Sequence, residues 1–249
     1  MQGEFESIGE SIKTETDRAR ALRVAGILVD CGAFQEGYFR LNSGIDSPMK
    51  IEVDRLRENH DLHSKVSSFL AGVIKVEAPG SRPIVGVISG GVSFAAEAGK
   101  LLHTRSAARL GNTSGSEKIR QIKGYISPGD RVVVVEDVIT TGSNSFMCQK
   151  YIESEGGQVA LVVSIFGYGF EVVGREYEAQ GVKYITLSNF QSLMEVLSWR
   201  TAAGCVDPGT TERLISWQKR VNEMLNKEGD WAPFMDRMNP STNILRRLV

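Results

Sequence analysis

The sequence predicts an α/β fold: a mainly parallel central sheet with helices on both faces, a small appendage before it and a helical extension after it. Three observations carry this. The stretches PIVGVISGG (83–91), RVVVVEDV (131–138), QVALVVSIFG (158–167) and GVKYITLSN (181–189) are short, apolar and rich in β-branched residues, which suits strands. Their apolar residues run on without alternation, as in strands buried on both faces. Between them lie helix-forming stretches such as FAAEAGKLLH (94–103) and SNSFMCQKYIESEG (143–156), and strands that alternate with helices build parallel sheets.

Before the sheet, residues 14–34 place Leu22, Ala25, Ile27, Leu28 and Cys31 close to one helical stripe, with Gly32 positioned to end it. FRLNSGIDSPMKIEVD (39–54) alternates and carries turn residues, predicting a strand, a turn at Ser43-Gly44 and a second strand. Residues 60–78 form an amphipathic helix stopped by Pro79-Gly80. The character changes after Trp199. A Gly-Pro stretch leads into an amphipathic helix over about 209–227, with Leu214, Ile215, Trp217, Val221, Met224 and Leu225 on its stripe, then a tail bearing Trp231, Phe234 and Met235. The expected division is one domain over 1–200 and an extension over 201–249 packed on it.

Composition narrows the class. The 249 residues are 41% hydrophobic and 24% charged with a formal net charge of -1, which gives no support to binding nucleic acid through general electrostatics. No apolar run approaches the roughly 20 residues that span a bilayer. The start, MQGEFESIGESIKTETDR, is acidic and polar, unlike a secretory signal or an Arg-rich transit peptide. Cys31, Cys148 and Cys205 are odd in number and widely spaced, and with only His60, His63 and His103 beside them they make neither a disulfide framework nor a metal site. A soluble, reduced, cytoplasmic protein is expected, without nucleic-acid or membrane partners.

The chemistry concentrates in VVVVEDVITTGSNS (132–145). In a doubly wound sheet, ligands sit beyond the carboxyl ends of the strands, which is where Glu136 and Asp137 fall. Carboxylates at so apolar a strand end need a polar partner, and a vicinal diol or a metal-bound ligand supplies one. Thr140, Thr141, Gly142 and Ser143 then lead into a helix, whose first N–H groups and nearby hydroxyls make a phosphate cup. Diol readers beside a phosphate cup describe a ribose 5-phosphate site. Neither GxGxxG nor GxxxxGK[ST] is present, which excludes the dinucleotide and Walker loops.

In its strand–loop–helix context, this string closely resembles the phosphoribosyl pyrophosphate (PRPP) motif of the type I phosphoribosyltransferases, whose Rossmann-like sheet carries a small N-terminal hood, here about residues 14–58. The resemblance implies that Glu136 and Asp137 hold the ribose hydroxyls. Val138 and Ile139 lead into Thr140, Thr141, Gly142, Ser143, Asn144 and Ser145, which hold the 5-phosphate. FRLNSGIDSPMKIEVD and GVISGGVSFAAEAGKLL (86–102) resemble the hood signature and second strand of the orotate phosphoribosyltransferases. The latter places Ser89, Gly90 and Gly91 against the pyrophosphate of PRPP. GVKYITLSNFQSLMEVL resembles their last strand and helix, so the resemblance spans about residues 15–200.

It implies transfer of the 5-phosphoribosyl group from PRPP to a pyrimidine-type base, orotate giving orotidine 5'-monophosphate, with release of pyrophosphate. Mg2+ would be carried on PRPP with no dedicated protein site, and a homodimer would complete the site. Catalytic roles fall to Asp137 and Arg109, and contacts to the base to Asn42, Lys50 and Tyr168.

Departures from the family pattern keep a second reading open. After Arg109, Leu110 stands where the family has a lysine, and Thr113 and Gly115 replace a second lysine and a histidine. Cations aimed at a leaving pyrophosphate supply much of its stabilisation. Lys118, Arg120 or Lys123 would have to take over, Lys118 first. Gly167 and Tyr168 occupy the positions of an Asp-Arg pair whose arginine reads the orotate carboxylate, and Asn42 that of a lysine. Arg40, Lys50, Arg55 and Arg175 remain as further cations for an anionic ligand. The alternatives are a weak or inactive relative that binds PRPP or a nucleotide as a regulator, or a transferase that uses another base.

Overall fold

The computed structural model describes residues 2–109 and 122–226. The chain opens with a long helix, α1 (Gln2–Asp30), closed by Gly32 at φ +73°. It starts well before residue 14, because QGEFESIGESIK holds no proline and several good helix formers. A two-stranded antiparallel hairpin follows, β1 (Phe34–Arg40) and β2 (Asp46–Ile51), then the short α2 (Asp54–Arg57) and α3 (His60–Glu77). Asn59 caps α3, its side-chain oxygen accepting from the Asp61 and Leu62 N–H groups.

The core begins with β3 (Ile84–Val87), α4 (Gly91–Leu101), β4 (Ser106–Arg109) and β5 (Ile122–Lys123). It continues through β6 (Arg131–Ile139), α5 (Ser143–Ser154), β7 (Gln158–Gly167), α6 (Glu171–Ala179), β8 (Tyr184–Asn189) and α7 (Phe190–Ala202). The last described element is α8 (Thr210–Leu225), and the tail residues Trp231, Phe234 and Met235 lie outside the described residues. Four elements are absent from the reading of the sequence alone: α6, whose EVVGREYEA is short and interrupted by Gly174, the single turn α2, and the short strands β4 and β5.

The sheet runs β5-β4-β3-β6-β7-β8, parallel throughout except for the edge pair β4–β5. Val132, Val133, Val134 and Val135 of β6 are all 0% exposed, so both faces of the central strand are covered. α1, α3 and α4 pack side by side, and α5 covers β6 and β7. After β3 the chain winds outward to β4, whereas after β6 it winds the other way to β7 and β8. The order therefore reverses between β3 and β6. That switch point is where a doubly wound sheet opens a crevice for ligand.

Candidate functional site

A cavity of about 310 Å3 lies at the carboxyl ends of β3 and β6. Its wall is polar. Glu136, Asp137, Val138, Thr140, Thr141, Gly142, Ser143 and Asn144 border it from β6 and the following loop, Ser89 from the loop after β3, and Asn42 and Lys50 from the hairpin. Ile139 and Ser145 lie just behind, buried at 1% and 0% exposure. A larger groove of about 640 Å3 between α1 and α3 is bordered by Phe69, Val73 and Val76 and holds none of these groups.

Two helices begin at the cavity, α4 at Gly91 and α5 at Ser143, and neither has a side-chain cap on its N-cap residue, Gly90 or Gly142. Their dipoles therefore present two positive ends to one crevice, one on each side of Glu136 and Asp137. The glycines permit this convergence. A Cβ on Gly90 would overlap the Asp137 carboxylate, and one on Gly91 would overlap the Val135 carbonyl. Gly142 turns the chain into α5 at φ +75°, a conformation that favours glycine.

Asp137 is the titrating centre of the site. Burial holds its carboxyl above the ordinary value of 3.8, opposed in part by the Val138 N–H, which donates to Oδ1 at 2.9 Å, and by the positive field of Arg57. A half-buried carboxylate at a strand end, its charged form disfavoured by desolvation, gains from any ligand hydroxyl that donates to it. Glu136 is buried beside it at 4% exposure.

The loop is braced from below. Thr141 Oγ1 and Ser143 Oγ lie 3.3 Å apart, and Ser145 Oγ donates to the Gly142 carbonyl at 2.9 Å. Tyr177 of α6 donates to Ser145 Oγ at 2.6 Å and stacks on Phe146 at 4.3 Å and Tyr184 at 4.8 Å. Burial first, and the charge of Glu136 second, push the Tyr177 hydroxyl well above its ordinary value, so it stays a donor.

Reasoning from sequence missed this tyrosine, since 32 positions separate it from Ser145. It also missed Arg57, which pairs with Asp54 and donates to the Ser89 carbonyl at 3.3 Å, bracing the Gly-Gly loop. The available signal was DRLR directly after the hairpin, an Asp and Arg three apart on one helical turn. His63 meets Ser93 of α4 at 3.2 Å from the same side.

No protein-family model matches the chain. It is 28% identical over 182 residues to the orotate phosphoribosyltransferase of Lactiplantibacillus plantarum, covering 73% of this chain and 84% of the relative. It is 31% identical over 157 residues to that of Lactobacillus johnsonii, covering 63% of this chain and 74% of the relative. The chain belongs to the orotate phosphoribosyltransferase family. Among solved structures, the orotate phosphoribosyltransferase of Aeropyrum pernix superposes with a TM-score of 0.64 at 28% identity, over 71% of this chain and 98% of that one. The Leishmania donovani UMP synthase superposes with a TM-score of 0.70 over 80% of this chain, at 18% identity. The chain spans 42% of that longer protein, and the likeness speaks to fold alone.

Within this family of pentosyltransferases, the expected base contacts separate. Asn42 and Lys50 border the cavity, Lys50 paired with Glu52. Tyr168 borders it too, but at 1% exposure it has no open ring face, and its hydroxyl already donates to the Met49 carbonyl at 3.3 Å. The expectation that Tyr168 stacks on a base or donates to it is therefore revised: its ring fills the core beside Phe166, Phe170 and Trp217. Gly167, at the position of the family's aspartate, leaves no room for a side chain, because a Cβ there would lie 2.7 Å from Thr186 Cγ2 and 2.8 Å from the Tyr184 hydroxyl. Arg109 ends β4 and Lys123 lies on β5, whereas Leu110, Thr113, Gly115, Lys118 and Arg120 lie outside the described residues. No helix among the described residues is long and apolar enough to cross a membrane.

Proposed function

We propose that the protein transfers the 5-phosphoribosyl group of PRPP to a ring nitrogen of an orotate-like base, releasing pyrophosphate. The observation that carries this reading is the placement of Glu136 and Asp137 between two uncapped helix N-termini at the switch point of the sheet. The two carboxylates accept hydrogen bonds from the ribose hydroxyls. Thr140, Thr141, Gly142, Ser143, Asn144 and Ser145 form the 5-phosphate cup, and Ser89, Gly90 and Gly91 face the pyrophosphate. Positioning and electrostatics then do most of the chemistry, since an oxocarbenium-like centre needs little covalent help. Mg2+ carried on PRPP would offset charge on the leaving group. Among the described residues no group of three or more carboxylate, histidine or cysteine side chains is placed to hold a metal ion, so the ion would come with the ligand.

On the base side, Lys50 and Arg40 border the cavity and take the place of the missing arginine as partners for an anionic base. Arg109 and Lys118 are assigned to the pyrophosphate, across a homodimer interface. A second reading is favoured by one specific observation, the closed packing around Gly167 and Tyr168: a PRPP-binding protein with another base, or with no turnover.

The test is incubation with PRPP, Mg2+ and orotate, followed by orotate consumption. Turnover that Asp137→Asn abolishes supports the transferase. PRPP binding by calorimetry, without turnover of orotate, uracil or a purine, leaves only the regulator. Absence of PRPP binding overturns both readings, and a monomer at micromolar concentration in sedimentation counts against the shared site.

A further inference from the structure

The hairpin β1–β2 forms a sheet of its own, and two-stranded hairpins are marginal in water unless they dock on something. Yet it carries Asn42 and Lys50 to the cavity, so whatever holds the hairpin also sets the base side of the site. Helix α8 holds it at both strands. At the start of β2, Trp217 Nε1 donates to the Asp46 carbonyl at 2.9 Å. On β1, Glu36 is gripped by two groups of α8, accepting from Arg213 Nη2 at 2.6 Å and from Thr210 Oγ1 at 3.0 Å. Asp207 steadies the Arg213 guanidinium from the other side at 3.2 Å.

A third tie runs through the core. Gln218 Nε2 donates to the Tyr168 carbonyl at 2.7 Å, and the Tyr168 hydroxyl donates to Met49 of β2 at 3.3 Å. The buried Tyr168 thus works as a strut between α8 and the hairpin. The phosphate cup and the Gly-Gly loop rest on the central sheet, and none of these ties reaches them.

We propose that α8 is a positioning element for the hairpin. Trp217 and Arg213 fix where Asn42 and Lys50 stand, and thereby set affinity for the base while leaving affinity for PRPP nearly untouched. This inference rests on the reading of the cavity as a PRPP-and-base site.

The test is steady-state kinetics together with amide hydrogen exchange on the full chain. Arg213 is half-exposed, and exposed ion pairs are individually weak, so Arg213→Gln should raise the KM for the base by about two- to fivefold. Trp217→Phe removes a buried donor while keeping an aromatic ring, and should raise it about tenfold. In both variants the KM for PRPP should stay within about twofold of wild type. Exchange should quicken across residues 34–51 and stay unchanged in β6. Arg213→Lys, which keeps the charge, should recover most of the base affinity.

An unchanged KM for the base overturns the proposal even where exchange quickens. Parallel rises in both KM values overturn it too, because they mark general loosening. If the wild type binds no PRPP and turns nothing over, the functional reading fails by itself. Exchange then decides the tether alone: faster exchange confined to residues 34–51 supports it, and unchanged exchange overturns it.

Discussion

Tyr177 and Ser145 are joined by a 2.6 Å hydrogen bond across 32 residues of sequence, and Ser145 passes it on to the Gly142 carbonyl at 2.9 Å. The turn that starts the phosphate cup is therefore held from α6 as well as by its own backbone. Tyr177→Phe keeps the stack on Phe146 but leaves Ser145 without its donor. The expected cost is about 1 kcal/mol of stability in denaturant melts. PRPP affinity should fall about three- to tenfold by calorimetry, since the cup loses its fixed shape. Equal PRPP affinity in the variant would show that the loop is rigid without the tyrosine.

Asp137 should trade stability for binding. Burial raises its pKa in the folded chain above the unfolded value, so between those two values the folded chain binds more protons. The associated stability is fully present below the unfolded value and is lost as pH rises through the folded one. Asp137→Asn should therefore melt at a higher temperature than wild type at pH 7, and the gap should close as pH falls toward the ordinary carboxylate range. The same variant should lose about 10- to 100-fold in PRPP affinity, because a charged acceptor of two hydroxyls has gone. A variant that melts lower at pH 7 would contradict this reading of the buried charge.

Binding should follow the same titration with the opposite benefit. PRPP affinity should fall as pH drops and Asp137 takes up a proton. The phosphates of the ligand also titrate near pH 6, so the informative quantity is the difference between the wild-type and Asp137→Asn profiles. Parallel profiles would remove Asp137 from the site.

Two glycines separate the close-approach argument from general helix effects. Gly90→Ala drives a methyl group into the Asp137 carboxylate, and should destabilise by about 1–3 kcal/mol and abolish PRPP binding. Gly174→Ala, in the middle of α6 with nothing within 4 Å of the added Cβ, should stabilise by about 0.5–1 kcal/mol and leave binding unchanged. Thermal melts and calorimetry on the pair give both signs.

What the sequence determined by itself is whatever neighbouring residues decide together. The strand of four valines, the carboxylates at its end, the small-residue turn and the helix after it form one contiguous run, and physics links each to the next over one or two residues. The hairpin around Ser43-Gly44 and the stripe of α8 were legible for the same reason. Tertiary structure decided everything that depends on which surfaces meet. Tyr168 reads as a base contact until burial places it in the core, because exposure belongs to packing and not to residue type. Tyr177 under Ser145, Arg57 behind Ser89 and Trp217 on Asp46 each join positions 32 to 171 residues apart, and no local pattern encodes such a pair. The ligand-facing half of the site follows from short-range chemistry, and its supports come from contacts that exist only once the chain has folded.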